Sequence, residues 1–143
     1  AKAAVKLAKK YRKRDHACLG QALFAYTKCL VKSNAKKTCC QTAREAVKCF
    51  RKLGQDGMVA QVTLIWATAE YKIGMFEDAS ERAQKALALC ERAMDNDGKA
   101  RALDLMDSIN YALGLPTRAE LEERQRQMML QQQQYMMMQQ QQQ

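Results

Sequence analysis

Cysteine and histidine are the side chains of this 143-residue chain whose types could bind a metal or take part in nucleophilic catalysis. The single histidine is His16, and the six cysteines lie at positions 18, 29, 39, 40, 49 and 90. No two cysteines form the C-x-x-C pair common in zinc sites. The chain also lacks a G-x-S-x-G motif and a phosphate-binding glycine loop. We therefore expect no metal, no cofactor and no enzymatic activity.

The spacing of the cysteines favours packing over chemistry. Four thiols recur with the apolar residues of predicted helices, where a thiol behaves as a small hydrophobic group. They are Cys18, Cys29, Cys39 and Cys90. A disulfide or redox role stays open for Cys39, Cys40 and Cys49. Reduced thiols would fit an intracellular compartment, either the cytoplasm or the interior of an organelle.

Two other residues with chemical potential have structural interpretations. His16 stands beside a predicted helix cap, so we expect a solvent-facing side chain in the first helical turn. Trp66 adjoins an apolar stripe, and aromatic residues make up only 6% of the chain. Because proteins that bind single-stranded nucleic acid use several stacking aromatics, we expect Trp66 to pack in the core.

Charge divides the chain into two unequal parts. Residues 1–52 carry 15 basic and two acidic residues, whereas residues 53–143 carry 9 basic and 13 acidic ones, which gives the net charge of +9. Seven basic residues fall within the first 14 positions: Lys2, Lys6, Lys9, Lys10, Arg12, Lys13 and Arg14. This asymmetry predicts an acidic partner, which could be a protein surface, an anionic membrane face or, in second place, a nucleic acid.

Residues 1–14 are predicted to form a basic amphipathic helix. Its apolar face would comprise Ala4, Leu7, Ala8 and Tyr11. Three interpretations stay open: the second helix of an incomplete leading repeat, a segment that binds nucleic acid or an anionic surface, and the end of an organelle-targeting segment. The chain begins at Ala1, so a processed N-terminus is possible. No run of 18 apolar residues is present, so we expect no transmembrane segment.

Apolar residues at helical spacing predict further helices along the chain. Asp15 would cap a helix over about residues 16–32, with Cys18 and Cys29 on one apolar face and Leu19, Leu23 and Leu30 on an adjoining one. A helix over residues 35–53 would follow and end at Gly54. The aspartates Asp15, Asp56 and Asp97 recur at a constant interval, which indicates internal repetition.

The central pair of helices has the clearest pattern. The first helix carries the stripe Met58, Val62, Ile65, Ala69 and Ile73, and the second carries Phe76, Ala79, Ala83, Ala86, Cys90 and Ala93. Gly74 lies between them, where a left-handed residue can end the first helix. Because alanine lets a neighbouring backbone approach, we expect Ala79 and Ala86 at the tightest helix contacts.

This central pair resembles a known repeat. The residues that carry the resemblance are Ala67, Tyr71, Gly74, Phe76, Ala79, Ala83, Ala86 and Leu87. In this order they resemble the tetratricopeptide repeat (TPR). The resemblance implies an all-α, right-handed superhelix of about three antiparallel helix hairpins, a TPR-like α-solenoid.

The expected domain spans residues 1–126. It comprises the basic leading helix (1–14) and repeats near 15–55, 56–96 and 97–126. In the third repeat, Tyr111 and Gly114 repeat the spacing of Tyr71 and Gly74, Pro116 would occupy a first helical turn, and Ala119 corresponds to Ala79.

Residues 127–143 form a low-complexity tail rich in glutamine and methionine. We expect it to extend the last helix and pack on a neighbouring chain through adaptable methionine contacts. These methionines are Met128, Met129, Met136, Met137 and Met138. The alternative is a glutamine-driven aggregation or condensate segment.

Two functions follow from these patterns. The TPR resemblance implies a protein-interaction or scaffold module whose first helices form a groove for a peptide or helix, as in an adaptor or a subunit of a larger complex. The polar positions that could line this groove are Gln21, Lys28, Gln61, Thr68, Lys72, Arg101, Asp104 and Asn110. The alternative is a basic nucleic-acid-associated protein that binds phosphates through its N-terminal helix.

Overall fold

Good helix formers and a single proline produce an almost continuous series of helices. The computed structural model describes residues 1–10 and 16–142. Within these residues the secondary structure consists of seven α-helices: α1 (Lys2–Lys10), α2 (His16–Lys32), α3 (Lys36–Lys52), α4 (Asp56–Ile73), α5 (Phe76–Arg92), α6 (Asn96–Ala112) and α7 (Arg118–Gln141). The predicted all-α class is confirmed. The predicted cap Asp15 and the predicted face residue Tyr11 lie outside the described residues.

Helices that are adjacent in the chain pack against each other from α1 to α6. α4 also contacts both α2 and α6, so these three helices form one layer, and α3 and α5 pack along its other side. The largest fully buried side chain is that of Phe50 of α3, which lies in a core cluster with Leu19, Leu23 and Val62. The hydrophobic core therefore lies between the two layers.

Four helix ends, evenly spaced along the chain, share one geometry. A left-handed backbone occurs at Gly54, Gly74, Met94 and Gly114, with φ of 68, 96, 54 and 73°. After each of them, a backbone N–H donates to the carbonyl five positions back: Gln55 to Phe50, Met75 to Glu70, Asp95 to Cys90 and Leu115 to Asn110, at 2.8–3.1 Å. These Schellman-type bonds satisfy carbonyls that a helix end leaves without partners. The ends of α3, α4, α5 and α6 therefore share one backbone geometry.

The observed period differs slightly from the predicted one. The prediction rested on the aspartates at positions 15, 56 and 97, whereas α2, α4 and α6 begin at positions 16, 56 and 96, which is a shorter interval. Asp95, not Asp97, caps α6: its Oδ1 accepts a hydrogen bond from the backbone N–H of Gly98 at 3.0 Å. A Cβ at position 98 would lie 2.5 Å from the other carboxylate oxygen of Asp95, so a glycine there lets the cap form.

The packed face of α2 was predicted correctly for its leucines and wrongly for its cysteines. Leu19, Leu23 and Leu30 are buried, whereas Cys18 and Cys29 are exposed. α2 is apolar around most of its circumference, so two faces compete for the core. Burying leucine removes more apolar surface from water than burying cysteine or alanine, which decides the orientation.

α1 also packs on a face other than the predicted one. Val5 is buried in the cluster with Leu19 and Leu23, whereas Leu7 is 61% exposed and Ala4 is exposed. The same orientation brings Lys9 within 3.1 Å of Glu45 on α3. The burial of Val5 and the ion pair of Lys9 with Glu45 thus help to hold α1 against the rest of the fold.

The last helix begins slightly later than the repeat would place it. Thr117 caps α7, with its hydroxyl accepting from the backbone N–H of Glu120 at 3.5 Å, and Pro116 precedes the helix instead of lying in its first turn. α7 buries none of its described residues. Ala119 is exposed, whereas Ala79, its counterpart in the preceding hairpin, is fully buried.

Candidate functional site

The predicted groove residues lie on the layer formed by α2, α4 and α6. Five are exposed (Gln21, Lys28, Lys72, Arg101 and Asp104) and three are half-buried (Gln61, Thr68 and Asn110). Several have partners within the chain. The Thr68 hydroxyl donates to the carbonyl of Leu64 at 2.9 Å, and the ammonium of Lys28 lies 4.4 Å from the centre of the Phe24 ring. The layer thus presents neutral polar, positively charged and negatively charged side chains.

The predicted basic patch is only partly described. Lys2, Lys6, Lys9 and Lys10 are exposed on α1, and Lys9 forms the ion pair with Glu45. The other members of the patch, Arg12, Lys13 and Arg14, lie outside the described residues. The buried side chain of Val5 fixes the orientation of α1. The exposed lysines of α1 therefore form a positively charged surface.

α7 is joined to α6 at its first residue. The backbone N–H of Arg118 donates to Asp107 at 3.1 Å, and its side chain donates to Asp107 at 2.8 Å and to Asp104 at 3.1 Å. Leu130 and Tyr135 are 58% and 63% exposed. The five predicted contact residues, Met128, Met129, Met136, Met137 and Met138, are 59–64% exposed. α7 therefore presents large apolar side chains that no described part of the chain covers.

A further surface, which the sequence analysis did not predict, lies where α3 and α5 flank α4. We call this the basic groove. Its cations are Arg44, Lys48 and Arg51 of α3 and Arg82 and Lys85 of α5. Its other lining residues are Val47, Thr63, Trp66 and Leu89, and the cavity has a volume of about 180 Å³.

An ion pair between a buried carboxylate and a half-buried guanidinium lies beside the groove. Glu70 of α4 is 2% exposed and accepts a hydrogen bond from Nε of Arg82. The Arg82 guanidinium carbon lies 3.5 Å from the centre of the Trp66 ring, and that of Arg44 lies 5.6 Å from it. Burial raises the pKa of Glu70, and Arg82 opposes this effect. Trp66 is 9% exposed, so its predicted place in the core is confirmed.

A local sequence signal for this groove does exist. Arg44, Lys48 and Arg51 follow the spacing i, i+4, i+7, which places them on one face of α3. These cations belong to the basic half of the chain, and their common face on α3 was not predicted. Their proximity to Arg82 and Lys85 depends on tertiary packing across α4, which spacing within one helix does not reveal.

His16 does not face solvent as predicted. It is half-buried, and its Nδ1 is buried without a hydrogen-bond partner among the described residues. Its ring lines a cavity with Leu19, Leu23 and Glu45. His16 precedes these leucines at i, i+3 and i+7, so it shares the packed face of α2.

The buried thiols are poorly suited to nucleophilic chemistry. Burial, followed by the effect of Cys40, raises the pKa of Cys39 to about 11. Burial also raises the pKa values of Cys40 and Cys90. These thiols are therefore protonated near neutral pH, and the thiolate is the reactive form. Within the described residues, no three histidine, cysteine or carboxylate side chains are grouped so that they could hold a metal ion.

The last findings concern membrane spans and similarity to known proteins. None of the helices in the described part of the chain is both long and apolar enough to cross a lipid bilayer. Searches against models of protein families, curated proteins and solved structures found no match to this chain.

Proposed function

We propose that the chain is a non-enzymatic protein-interaction module with a TPR-like, right-handed superhelical arrangement, and that it acts as a structural subunit or adaptor of a larger assembly. The stacked layers, the regular repetition of helix ends and the resemblance over residues 67–87 support the repeat architecture. In such an array each unit packs on its neighbours, and large surfaces remain for partners.

α7 is the observation that carries this proposal. It runs over 24 residues, buries none of them, and exposes five methionines together with Leu130 and Tyr135. Extended apolar surface of this kind is a common mark of protein contact sites. Unbranched methionine side chains adapt their shape to a partner surface. A partner protein that covers α7 would remove this area from water and hold the helix in place.

Affinity capture from native extract tests the proposal. The bait would be the full chain, with and without nuclease, compared with chains that lack residues 127–143 or residues 1–14. We expect the same protein partners after nuclease treatment and their loss without residues 127–143. Unchanged recovery from the chain without residues 127–143 would contradict the role of α7.

A matched variant separates the methionine contacts from the helix itself. Replacing Met128, Met129, Met136, Met137 and Met138 with glutamine keeps the chain length and a good helix former at each position. We expect this variant to lose the partners as the truncated chain does. Because α7 buries no residue, both variants should retain the thermal unfolding midpoint of the parent chain.

Binding of nucleic acid through α1 is the second candidate, because Lys2, Lys6 and Lys10 are exposed on this helix. Phosphate binding through these lysines and Arg12, Lys13 and Arg14 would give a steep loss of affinity with rising salt. Recovery that collapses with nuclease and without residues 1–14, but not without residues 127–143, would favour this alternative over the scaffold.

A further inference from the structure

The basic groove combines a high density of positive charge with no acidic residue in its described lining. None of its nine described lining residues is acidic, and five are cationic. Among the described residues, no carboxylate lies within ion-pair distance of Lys48, Arg51 or Lys85. Glu70 forms its ion pair with Arg82 and also interacts electrostatically with Arg44. Like charges held at one site repel each other, and an anionic ligand would relieve that repulsion.

The floor of the groove is apolar. Val47 is 5% exposed, Trp66 is 9% exposed, and Leu89 is half-buried. The hydroxyl of Thr63 donates to the carbonyl of Val59 at 2.6 Å, so it is already satisfied within α4. We call the five cations around this floor the cationic rim. A ligand complementary to both the floor and the cationic rim carries negative charges on either side of an apolar group.

Two of the five cations are positioned before any ligand arrives. Glu70 and Trp66 hold Arg82, and the guanidinium of Arg44 lies over the same ring. Side chains that are already ordered lose little conformational freedom on binding, which favours affinity. A guanidinium also presents several N–H donors with the geometry that a carboxylate accepts.

The size of the cavity selects among anionic ligands. About 180 Å³ is smaller than the roughly 300–1,000 Å³ of pockets that enclose drug-sized molecules. It is suited to a single apolar side chain of a peptide. Nucleic acid fits less well, because Trp66 has little exposed ring and two guanidiniums lie over it, so no stacking platform is available for a base.

We propose that the basic groove docks an acidic segment of a partner protein, with carboxylates on its cationic rim and one apolar side chain on the floor between α3 and α5. This inference rests on the proposed function, since it names the chemistry of a partner. It concerns a surface other than α7. It also differs from the predicted first-helix groove, because Trp66 lies about 120–160° around α4 from Gln61, Thr68 and Lys72.

A fluorescence anisotropy titration with synthetic peptides tests the groove on the purified full chain. The probe would have a central leucine with glutamates on both sides. One control peptide replaces the glutamates with glutamines, and another replaces the leucine with glycine. We expect saturable binding of the probe and weaker binding of both controls. Equal binding of the leucine and glycine peptides would overturn the role of the apolar floor.

Charge-matched variants locate the site. The triple variant Lys48→Gln, Arg51→Gln and Lys85→Gln removes three groove cations and should weaken peptide binding about tenfold. The triple variant Lys28→Gln, Lys72→Gln and Arg101→Gln removes the same charge from the predicted first-helix groove and should bind like the parent chain. Circular dichroism would confirm that both variants fold. Equal loss in both, or loss only in the second, would overturn the assignment.

Two further arms separate the alternatives. A single-stranded oligonucleotide should compete poorly with the peptide, and binding of the oligonucleotide in preference to the peptide would overturn the choice of partner. The five-methionine variant of α7 should bind the peptide normally. Failure of peptide binding would therefore refute only the proposal that the basic groove docks an acidic segment. Failure of partner capture through α7 would refute only the proposed function.

Discussion

The buried carboxylate of Glu70 and the half-buried guanidinium of Arg82 form the ion pair on which the geometry of the basic groove depends. The carboxylate is 2% exposed, and the guanidinium that it holds lies over Trp66. Loss of either partner would leave the other with a buried or misdirected charge. Among single residues, this pair predicts a pH dependence of stability, and the buried thiols predict differences in alkylation rate.

The stability contributed by Glu70 should decrease as pH rises. Burial raises its pKa above the ordinary value of 4.5, so the folded chain holds this proton more tightly than the unfolded chain. The contribution is therefore fully present below the ordinary pKa and is lost as pH rises through the raised one. We expect the free energy of unfolding of the parent chain, minus that of Glu70→Gln, to fall as pH rises above the ordinary pKa of 4.5. Chemical denaturation across this range measures it.

The exposed residue Glu81 provides the control for this experiment. Glu81→Gln removes an exposed carboxylate of α5 by the same substitution, so it controls for the loss of one negative charge. A difference curve for Glu70→Gln that rises with pH would show that Arg82, and not burial, dominates the ionisation of Glu70.

The thiols should divide by reactivity according to burial. Cys29 is exposed, Cys39 is buried with a pKa of about 11, and Cys90 is buried with a raised pKa. Alkylation near neutral pH should modify Cys29 in the folded chain and leave Cys39 and Cys90 at least about a hundredfold slower. Mass spectrometry of timed samples measures the rates. Similar rates at all three positions in the folded chain would contradict the assigned packing.

At the scale of elements, the evenly spaced helix ends show how the chain turns between its layers. Gly54, Gly74 and Gly114 adopt the left-handed backbone that these turns require, and Met94 adopts it with a side chain. A non-glycine residue in this conformation is strained by its Cβ. The end of α5 is therefore the turn at which the sequence fits the repeat least well.

Met94→Gly should stabilise the fold by about 1 kcal/mol. The Met94 side chain is 87% exposed, so its removal loses little packing while relieving the strained backbone. Thermal unfolding should show a rise of a few degrees in the midpoint. Met75→Gly is the matched control, because Met75 has a φ of −85° and glycine offers no relief there. A lower midpoint for Met94→Gly would show that its side chain packs or that the turn is not strained.

The contacts of α5 depend on small residues. Ala79 is fully buried in a cluster with Ala67, Ala83 and Ile109. Ala79→Glu should lower stability by more than about 3 kcal/mol, because a charge would replace a buried methyl group. Denaturant unfolding gives the change, and Ala119→Glu at the corresponding exposed position of α7 should have almost no effect. Equal losses in the two variants would mean that α7 packs as α5 does.

At the scale of the whole molecule, local patterns predicted the helices better than their arrangement. The apolar spacing within α4 and α5 located Ala79 and the turn at Gly74, because both depend on neighbours within one or two helical turns. The orientation of α2 was harder to predict, since two apolar faces compete and tertiary packing selects the leucines.

The candidate surfaces also differ in whether local sequence or tertiary packing determines them. The exposed methionines of α7 are evident from composition, but spacing alone assigned Ala119 the same role as Ala79, and only the structure shows that Ala119 is exposed. The basic groove was missed because its cations come from α3 and α5, which are separated in sequence by all of α4. Its site exists only after the layers assemble.

Hydrogen exchange of α7 amides, compared between the purified chain and the complex captured from native extract, tests whether α7 joins the chain to its assembly. α7 lacks buried side chains, so its amides should exchange rapidly in the purified chain, while those of α4 and α5 stay protected. In the complex we predict strong protection across residues 127–141. Rapid exchange of this segment within an intact complex would contradict the proposal that α7 joins the chain to its assembly.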